Sequence, residues 1–462
     1  MEMKVMFRSF CVFLTVTFCA AGCSTKESEK PKTLHQGSVV ADKTTVLATI
    51  AAEEKPQTLS PPSGLGLHPS AATNFNFIFS ERGGGVAYVV EKDGMSRVVH
   101  NGAAGKPYKT VGDVALSPDG KRIAYGALVE GKWRMVIDGA EGAQFSAVRL
   151  PGFSPNGAHL AYQGMAGEHW YLVVDTTKNK GTVKRFLTHD FSGDSSRITF
   201  IDDVDDANRG RLVVSDITFA KETTIGTGLH RMLLNADRSR VAAIETVNNK
   251  QKVITFNFDK PGSIARGKAY DEVQNLAFGP DGVPLAYTAV QGGKHVILLG
   301  EREFALPEGV MAGMPVVHPG KKTVGVLLQS AGGMFLEQFV PSGGSRESAY
   351  QAAENLVYSS DGRFYAYAAT KGESWCVVVN GKEGPVFDRV VSPKFSPDGK
   401  FLVYRARKSG KRFVVVADTS GKTIKTFPEY EQVFDVQFTA DGRSVAYGVK
   451  DDQKLIWKVD TL

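Results

Sequence analysis

The chain has 462 residues, with 55 Lys and Arg against 49 Asp and Glu, which gives a formal net charge of +6 at pH 7. This surplus is small for the length, and the basic residues are scattered along the chain, so the charge does not favour a nucleic-acid partner. A single hydrophobic core normally stops growing beyond about 250–300 residues. The length therefore predicts either several cores or a repeat architecture.

The N-terminal segment has the pattern of an export signal. Two basic residues precede the apolar run 10–18, which is too short for a comfortable membrane-spanning helix. The run leads to Cys23 through small residues that resemble a bacterial lipobox, Ala20-Ala21-Gly22. We therefore expect residues 1–22 to be a lipoprotein signal peptide and Cys23 to carry a lipid. An ordinary cleaved signal and an uncleaved anchor are the alternatives.

The segment after Cys23 suits a tether, because residues 24–32 are polar and charged. A serine after the cysteine is usual in lipoproteins that go to the outer membrane. By this resemblance we expect a lipid-anchored protein of the cell envelope that faces the periplasm. Cys376 is then alone in the mature chain, within an apolar strand, and we expect it to be a buried packing residue.

A short turn-and-strand pattern occurs ten times, about every forty residues, which is typical of solenoids, propellers and other arrays. In the clearest copy, Ser117-Pro118-Asp119-Gly120 forms a turn and Ala124-Tyr125 lies in the strand that follows. Six more copies begin at Arg82, Asn156, Asp281, Asp361, Asp398 and Asp441. Three worn copies read Asp194-Ser195, Asp237-Arg238 and Pro319-Gly320.

A second hairpin signal follows in several units, and it predicts four strands per unit. The dipeptides Asn101-Gly102, Asp138-Gly139 and Asn380-Gly381 each follow an apolar run, and such dipeptides favour tight hairpins. Several strands are apolar on both faces, as in 412–417, so both faces of each sheet must be covered. The sequence therefore predicts an all-β protein, either a β-propeller of four-stranded blades or an open β-solenoid.

Even spacing and the absence of a Pro/Ser-rich linker between units favour one ring of about ten units over two smaller rings. The last unit offers only three strands, near Val436–Phe438, Ser444–Val449 and Leu455–Val459. We expect Val39–Ile50, a largely apolar, β-branched segment, to supply the fourth strand and close the ring. A loosely packed tail is the alternative. Residues 23–73 are thus predicted to contain the tether and a possible ring-closing strand, and residues 74–462 the propeller.

The repeat resembles the WD40-like repeat of TolB-type β-propellers. The closest copy is 395–404, which reads Phe-Ser-Pro-Asp-Gly-Lys-Phe-Leu-Val-Tyr. The resemblance implies the fold but says little about function, because such propellers serve as scaffolds, peptidases and lyases alike. It does not carry over the TolB role, since the region between Cys23 and Phe75 is too short for the α/β domain that precedes the TolB propeller.

No strong catalytic signature occurs, so we expect a non-enzymatic protein without a cofactor. The acidic run 202–206 is predicted to be a solvated loop, with a cation site as the alternative. Trp133, Trp170, Trp375 and Trp457 follow the repeat tyrosines at regular distances, which favours a structural position between units over a sugar-stacking face.

The leading hypothesis is an envelope scaffold that binds another protein. The alternatives are a propeller that binds glycans or peptidoglycan fragments and, third, a lyase or hydrolase on one propeller face.

Overall fold

The computed structural model describes residues 42–59, 76–182, 184–340 and 343–462, and these contain β-strands and no helix. The strands form ten antiparallel units in chain order. This confirms the predicted multi-blade β-propeller. The expected signal peptide, the Cys23 lipidation site and the proposed tether 24–32 lie outside the described residues. No helix long and apolar enough to cross a membrane occurs in the described part of the chain.

Units 1 to 5 contain the strands β2 to β21. Unit 1 has a divided first strand, β2 (Lys55–Pro56) and β3 (Ile78–Phe79), followed by β4 (Val86–Lys92), β5 (Met95–His100) and β6 (Ala103–Ala104). Units 2 and 3 comprise β7 (Val111–Leu116), β8 (Ile123–Val129), β9 (Lys132–Ile137), β10 (Ala140–Phe145), β11 (Ala147–Phe153), β12 (Leu160–Ala166), β13 (His169–Val174) and β14 (Thr177–Lys178). Units 4 and 5 share one long strand, β18, in β15 (Thr188–Phe191), β16 (Arg197–Asp202), β17 (Gly210–Asp216), β18 (Glu222–Leu234), β19 (Arg240–Val247), β20 (Lys250–Asn257) and β21 (Lys260–Arg266).

Units 6 to 10 follow the same order. Units 6 and 7 comprise β22 (Glu272–Phe278), β23 (Leu285–Gln291), β24 (Lys294–Leu299), β25 (Arg302–Ala305), β26 (Met311–Val317), β27 (Val324–Ser330), β28 (Gly333–Val340) and β29 (Gly343–Arg346). Units 8 and 9 comprise β30 (Ala353–Tyr358), β31 (Tyr365–Lys371), β32 (Ser374–Val379), β33 (Lys382–Phe387), β34 (Arg389–Phe395), β35 (Phe401–Lys408), β36 (Lys411–Asp418) and β37 (Thr423–Thr426). Unit 10 comprises β38 (Gln432–Phe438), β39 (Ser444–Asp451), β40 (Lys454–Thr461) and, from the other end of the chain, β1 (Lys43–Thr49).

The turn between the first and second strands is held by the residues that define the repeat. In unit 2, the Ser117 hydroxyl donates to the Asp119 carboxylate at 2.7 Å, and the Arg122 amide donates to the Ser117 hydroxyl at 2.9 Å. Gly120 has a φ of +69°, which a glycine adopts without strain. The hydroxyl of Ser117 keeps the pKa of Asp119 below its usual range. The turn is therefore a small hydrogen-bonded unit that forms locally.

The worn copies form the same turn without the glycine. Ser195 and Arg238 take the place of Gly120 and have φ values of +64° and +57°. In unit 7 the left-handed residue is Lys321, with a φ of +60°, and Gly320 takes the place of the aspartate. The sequence alignment of that copy was therefore wrong by one residue, because the Pro-Gly pair suggested a turn residue one position too early.

Hydrophobic cores lie between the units. Ten clusters of buried side chains occur, and each combines residues of two consecutive units or of units 10 and 1. Along β31, Tyr367 and Ala369 pack in the cluster with unit 7, while Ala366 and Ala368 pack in the cluster with unit 9. Because successive residues of a strand point to opposite faces, both faces of one sheet are buried against neighbours. The series of ten interfaces closes on itself as one ring.

The ring closes through β1, as the sequence predicts. β1 pairs antiparallel with β40, from Lys43 opposite Val459 to Thr49 opposite Lys454. The Asp42 carboxylate accepts hydrogen bonds from the amide and the hydroxyl of Thr461, both at 2.8 Å. These two residues lie 419 positions apart in the sequence.

The turns of units 1 to 5 lie close together on their face of the ring. Arg82 of unit 1 donates from its backbone amide to Pro118 of unit 2 at 2.9 Å. Its guanidinium reaches further, to the carbonyl of Pro155 in unit 3 at 3.3 Å. Arg238 of unit 5 lies near enough to Glu81 of unit 1 for the carboxylate to oppose the lowering of its pKa by burial.

Candidate functional site: a cleft between units 7 and 8

Among the described residues, three junctions between units share a hydrogen bond from a tyrosine hydroxyl to a glutamate carboxylate near the outer edge of the ring. We call this pair the Tyr–Glu tie. In each junction, a tyrosine in the connection that leaves the fourth strand donates to a glutamate in the fourth strand of the next unit, 33 positions later. These pairs are Tyr108–Glu141 at 3.3 Å, Tyr270–Glu303 at 2.9 Å and Tyr350–Glu383 at 3.4 Å. In each junction the same tyrosine also packs edge-to-face against the repeat tyrosine of the next unit, in the pairs Tyr108–Tyr125, Tyr270–Tyr287 and Tyr350–Tyr367.

At two of these junctions a lysine completes the tie. The ammonium of Lys106 lies 2.6 Å from the Glu141 carboxylate and 5.6 Å from the centre of the Tyr108 ring. The ammonium of Lys268 lies 2.8 Å from the Glu303 carboxylate and 5.1 Å from the centre of the Tyr270 ring. A cation within about 6 Å of an aromatic ring is attracted to its face. The tyrosine and the glutamate thus form one site for an ammonium group.

The junction of units 7 and 8 departs from this pattern at two adjacent positions. Gly105-Lys106 and Gly267-Lys268 are replaced there by Glu347-Ser348. Serine is too short to reach the glutamate, and a cleft of about 570 Å³ lies at this junction. We call it the 7–8 cleft, and its lining is Arg346, Glu347, Ser348, Ala349, Tyr350, Gly381 and Glu383.

Glu347 has a second set of contacts that the other junctions lack. Its backbone amide donates to Leu336 at 3.0 Å, as Gly267 donates to Val253 at the junction of units 5 and 6. Its carboxylate accepts from the hydroxyl of Tyr367 at 2.6 Å and from the hydroxyl of Tyr365. Glu347 therefore brings a carboxylate to a point where the matched junctions have no side chain.

A glycine at position 381 makes room for this carboxylate. Gly381 has a φ of +74°, and a Cβ there would lie 3.3 Å from the nearest Glu347 carboxylate oxygen. A side chain at position 381 would therefore crowd the Glu347 carboxylate, in addition to the strain of a positive φ. The dipeptide Asn380-Gly381, identified from the sequence as a hairpin signal, thus forms one wall of the cleft.

The tyrosine hydroxyls of the cleft remain protonated donors near neutral pH. Burial, with the Glu383 charge as a second cause, raises the pKa of Tyr350 to about 12. Burial and the hydrogen bond to Glu347 raise the pKa of Tyr365 and Tyr367 above the usual tyrosine range. A phenol with a raised pKa is a poor nucleophile and a poor base. The tyrosine hydroxyls of the cleft therefore act as hydrogen-bond donors that hold the carboxylates of Glu347 and Glu383 in place.

Two cations border the cleft, and each has a carboxylate partner. Arg346 donates to the Glu337 carboxylate at 2.7 and 3.0 Å and stacks on Phe335 at 4.5 Å. Lys371 donates to Glu383, and this hydrogen bond raises the pKa of Lys371. Among the residues that the structure describes, the charge of Glu347 then has no cationic partner in the cleft, since the two hydrogen bonds of its carboxylate come from neutral phenols.

The other candidate residues have structural roles. Cys376 is buried and unpaired, and burial raises the pKa of its thiol to about 11. In the acidic run, Asp202 pairs with Arg211 at 2.7 Å and Asp205 pairs with Arg209 at 3.1 Å. Within the described ranges, no three His, Cys, Asp or Glu side chains are grouped so that they could hold a metal ion.

The four tryptophans are half-buried, and two of them, Trp375 and Trp457, contact a neighbouring unit. The guanidinium of Arg389 lies 3.7 Å from the centre of the Trp375 ring, and that of Arg149 lies 4.4 Å from the centre of the Trp170 ring. Trp457 of unit 10 packs near Phe79 of unit 1, with ring centres 6.3 Å apart. Trp375 and Trp457 therefore pack between units, as the sequence spacing predicts, whereas the contact of Trp170 with Arg149 lies within unit 3.

The comparisons with known proteins concern the fold. No protein-family model and no curated protein matches the sequence. A eukaryotic initiation factor structure is 15% identical, with a TM-score of 0.46, and the match covers 76% of this chain and 96% of that one. TolB from Acinetobacter baumannii is 12% identical over 68% of this chain and 78% of its own, with a TM-score of 0.30. An oligogalacturonate lyase from Vibrio parahaemolyticus is 12% identical over 76% and 96%, with a TM-score of 0.34. These likenesses leave the activity of this chain open.

Sequence reasoning missed Glu347 and Ser348. The signal that finds the site is the constant spacing of 33 positions between Tyr and Glu, combined with the change from Gly-Lys to Glu-Ser before the tyrosine. Such a change is visible only when the connections are aligned on the strands that they join.

Proposed function

We propose that this protein is a non-enzymatic scaffold of the cell envelope, anchored by a lipid on Cys23, which binds a protein partner at the 7–8 cleft. The carrying observation is the departure of one junction from its two counterparts, which opens a cleft of about 570 Å³ lined by carboxylates and a tyrosine. Specific binding sites are concave, and a few fixed polar groups orient the ligand. A repeat that serves packing alone has no physical need for this difference.

The binding role agrees with the state of the titratable groups. Glu347 is held by two hydroxyls and Glu383 by Tyr350 and Lys371. Groups fixed in this way are preorganised for recognition, which lowers the entropic cost of binding. They are not arranged as a nucleophile and a base within reach of one another, so we propose no catalytic step at the cleft.

A photo-crosslinking residue at position 348 of the full chain tests the interaction. Ser348 is exposed at the mouth of the cleft, and exposed Lys268 is the matched position at the junction of units 5 and 6. We expect one defined protein adduct from position 348 and none from position 268 when the protein is irradiated in its own cells. The same adducts from both positions, or none from either, would contradict the scaffold.

The anchor needs a separate test, because it depends on residues outside the described ranges. We expect an alkyne-labelled fatty acid to be incorporated into the wild-type chain and into Cys11→Ser and Cys19→Ser, and not into Cys23→Ser. We also expect the Cys23→Ser protein to leave the membrane fraction, since more than one acyl chain is needed for stable anchoring. Labelling of the Cys23→Ser chain would rule out Cys23 as the anchor.

A further inference from the structure

The chain itself shows twice which chemical group the Tyr–Glu tie accepts. At the junctions of units 1 and 2 and of units 5 and 6, a lysine ammonium lies on the glutamate at 2.6 and 2.8 Å and faces the tyrosine ring. The same tyrosine and glutamate recur at the third junction as Tyr350 and Glu383. Ser348 stands where the two lysines stand, and the ammonium on Glu383 comes instead from Lys371 on β31 of the same unit, which leaves the position of Lys268 unfilled from the connection.

The cleft also carries a charge that the two matched junctions lack. Glu347 replaces a glycine, and its carboxylate is held by Tyr365 and Tyr367 rather than by a cation. A carboxylate has about four lone-pair positions, so two hydrogen bonds leave acceptor capacity on Glu347. Glu383 also accepts two hydrogen bonds, from Tyr350 and Lys371, and likewise keeps acceptor capacity.

We propose that the 7–8 cleft binds a primary ammonium group, the lysine side chain of a protein partner, in the position that Lys268 occupies between units 5 and 6. The ammonium donates to Glu383 and Glu347 and faces the Tyr350 ring. That the ammonium belongs to a protein partner rests on the proposed function. That the cleft accepts an ammonium group rests on the matched junctions. Ser348 and Ala349, both exposed, leave the entrance open to an extended side chain.

The small-molecule test uses Nα-acetyl-lysine methylamide as the probe and the full chain as the receptor. Calorimetric titration is expected to show one site on the wild-type protein. The norleucine analogue, which has the same chain without the ammonium, is expected to bind at least tenfold more weakly, since about 1.4 kcal/mol of charge-assisted hydrogen bonding corresponds to tenfold. Equal binding of the two probes would overturn the proposal.

Ser348→Lys is the decisive variant, because it restores the lysine of the matched junctions and places an ammonium in the cleft from within. We expect it to weaken probe binding at least tenfold. Thr426→Lys, which adds a lysine on the exposed outer strand β37 outside the cleft, is expected to bind the probe as the wild type does. Unchanged binding in Ser348→Lys would also overturn the proposal.

The two proposals fail in different ways. If the lysine probe does not bind while crosslinking at position 348 still yields one defined adduct, the scaffold stands and the ammonium site is wrong. If the probe binds and Ser348→Lys prevents this, but no protein adduct forms, the ammonium site stands and the scaffold is wrong.

Discussion

The junction of units 5 and 6 and the junction of units 7 and 8 share the same tyrosine and glutamate contacts but differ in the residues around them. Both have a tyrosine pair packed edge-to-face and a tyrosine-to-glutamate hydrogen bond. In the first, Lys268 satisfies the glutamate, and Tyr270 is fully buried. In the second, Tyr350 is half-buried beside an open cleft. Within one repeat family, therefore, the same Tyr–Glu pair is buried under Lys268 at one junction and borders an open cleft, with Lys371 on its glutamate, at the other.

The largest contrast is expected from removing the tyrosine at each junction. Tyr270→Ala deletes a fully buried ring and is expected to cost about 3–5 kcal/mol of unfolding free energy. Tyr350→Ala deletes a half-buried ring and is expected to cost about 1–2 kcal/mol, in proportion to the smaller buried area. Urea unfolding of the full chain, followed by circular dichroism, measures both. Equal losses would show that the cleft is packed as tightly as its counterpart.

Glu347 is expected to give the next largest effect. Glu347→Gly restores the glycine of the matched junctions and leaves the buried hydroxyl of Tyr367 and that of Tyr365 without their acceptor, which is expected to cost about 1–3 kcal/mol. Adding Tyr365→Leu, the residue that Leu285 supplies in unit 6, removes one of these hydroxyls and is expected to recover part of the loss. The measurement is the urea midpoint of the two variants. A double variant less stable than the single one would contradict this account.

The lysine of the packed junction is expected to control its response to acid. Lys268, followed by Tyr270, lowers the pKa of Glu303, so this carboxylate stabilises the fold above its unfolded pKa. That contribution is lost as pH falls below about 4.3 and through the folded-state pKa. In Lys268→Ser the pKa of Glu303 is expected to rise towards its ordinary value, so less stability is lost between about pH 5 and about pH 3.

Two measurements check this expectation. The first is the carboxyl carbon shift of Glu303 during an NMR pH titration, and the second is the urea midpoint at each pH. Lys260→Ser, at an exposed lysine on β21, is the control and is expected to behave as the wild type. An unchanged Glu303 titration in Lys268→Ser would remove the lysine as the cause of the lowered pKa.

The smallest expected effect is that of Ser348→Lys on stability. The added ammonium makes an ion pair at an exposed position, and such pairs contribute about 0–1 kcal/mol. We therefore expect the urea midpoint of Ser348→Lys to stay near that of the wild type while ligand binding is lost. A large change in the midpoint would mean that the lysine disturbs the junction instead of filling it.

The architecture could be predicted because its signals are local. The hydrogen bonds of the Ser117–Asp119 turn lie within five positions, so each copy is visible in the sequence, and the missing fourth strand of unit 10 points to β1. The worn copies show where local signals end. Arg238 and Ser195 take a left-handed conformation because the neighbouring strands fix the turn, and no sequence rule for these residue types predicts it.

The candidate site could not be predicted in the same way. Glu347 contacts Tyr365 and Tyr367 across a junction, 18 and 20 positions away, and Tyr350 contacts Glu383 at 33. Whether the serine at 348 leaves a cleft depends on the distance between two outer strands, which the turn pattern does not specify. Comparison of one junction with another supplies what the sequence of one unit cannot.

Ring closure by β1 has a consequence for the order in which the protein matures. β1 is made early, yet the strand on which it pairs ends at Thr461, so this joint waits until nearly the whole described chain is available. Pairing over such a separation is slow, because the entropy of closing a long loop is lost before any contact stabilises the closed state. During synthesis β1 therefore cannot pair with β40 until the end of the chain has been made, and the closing of the ring comes late in folding.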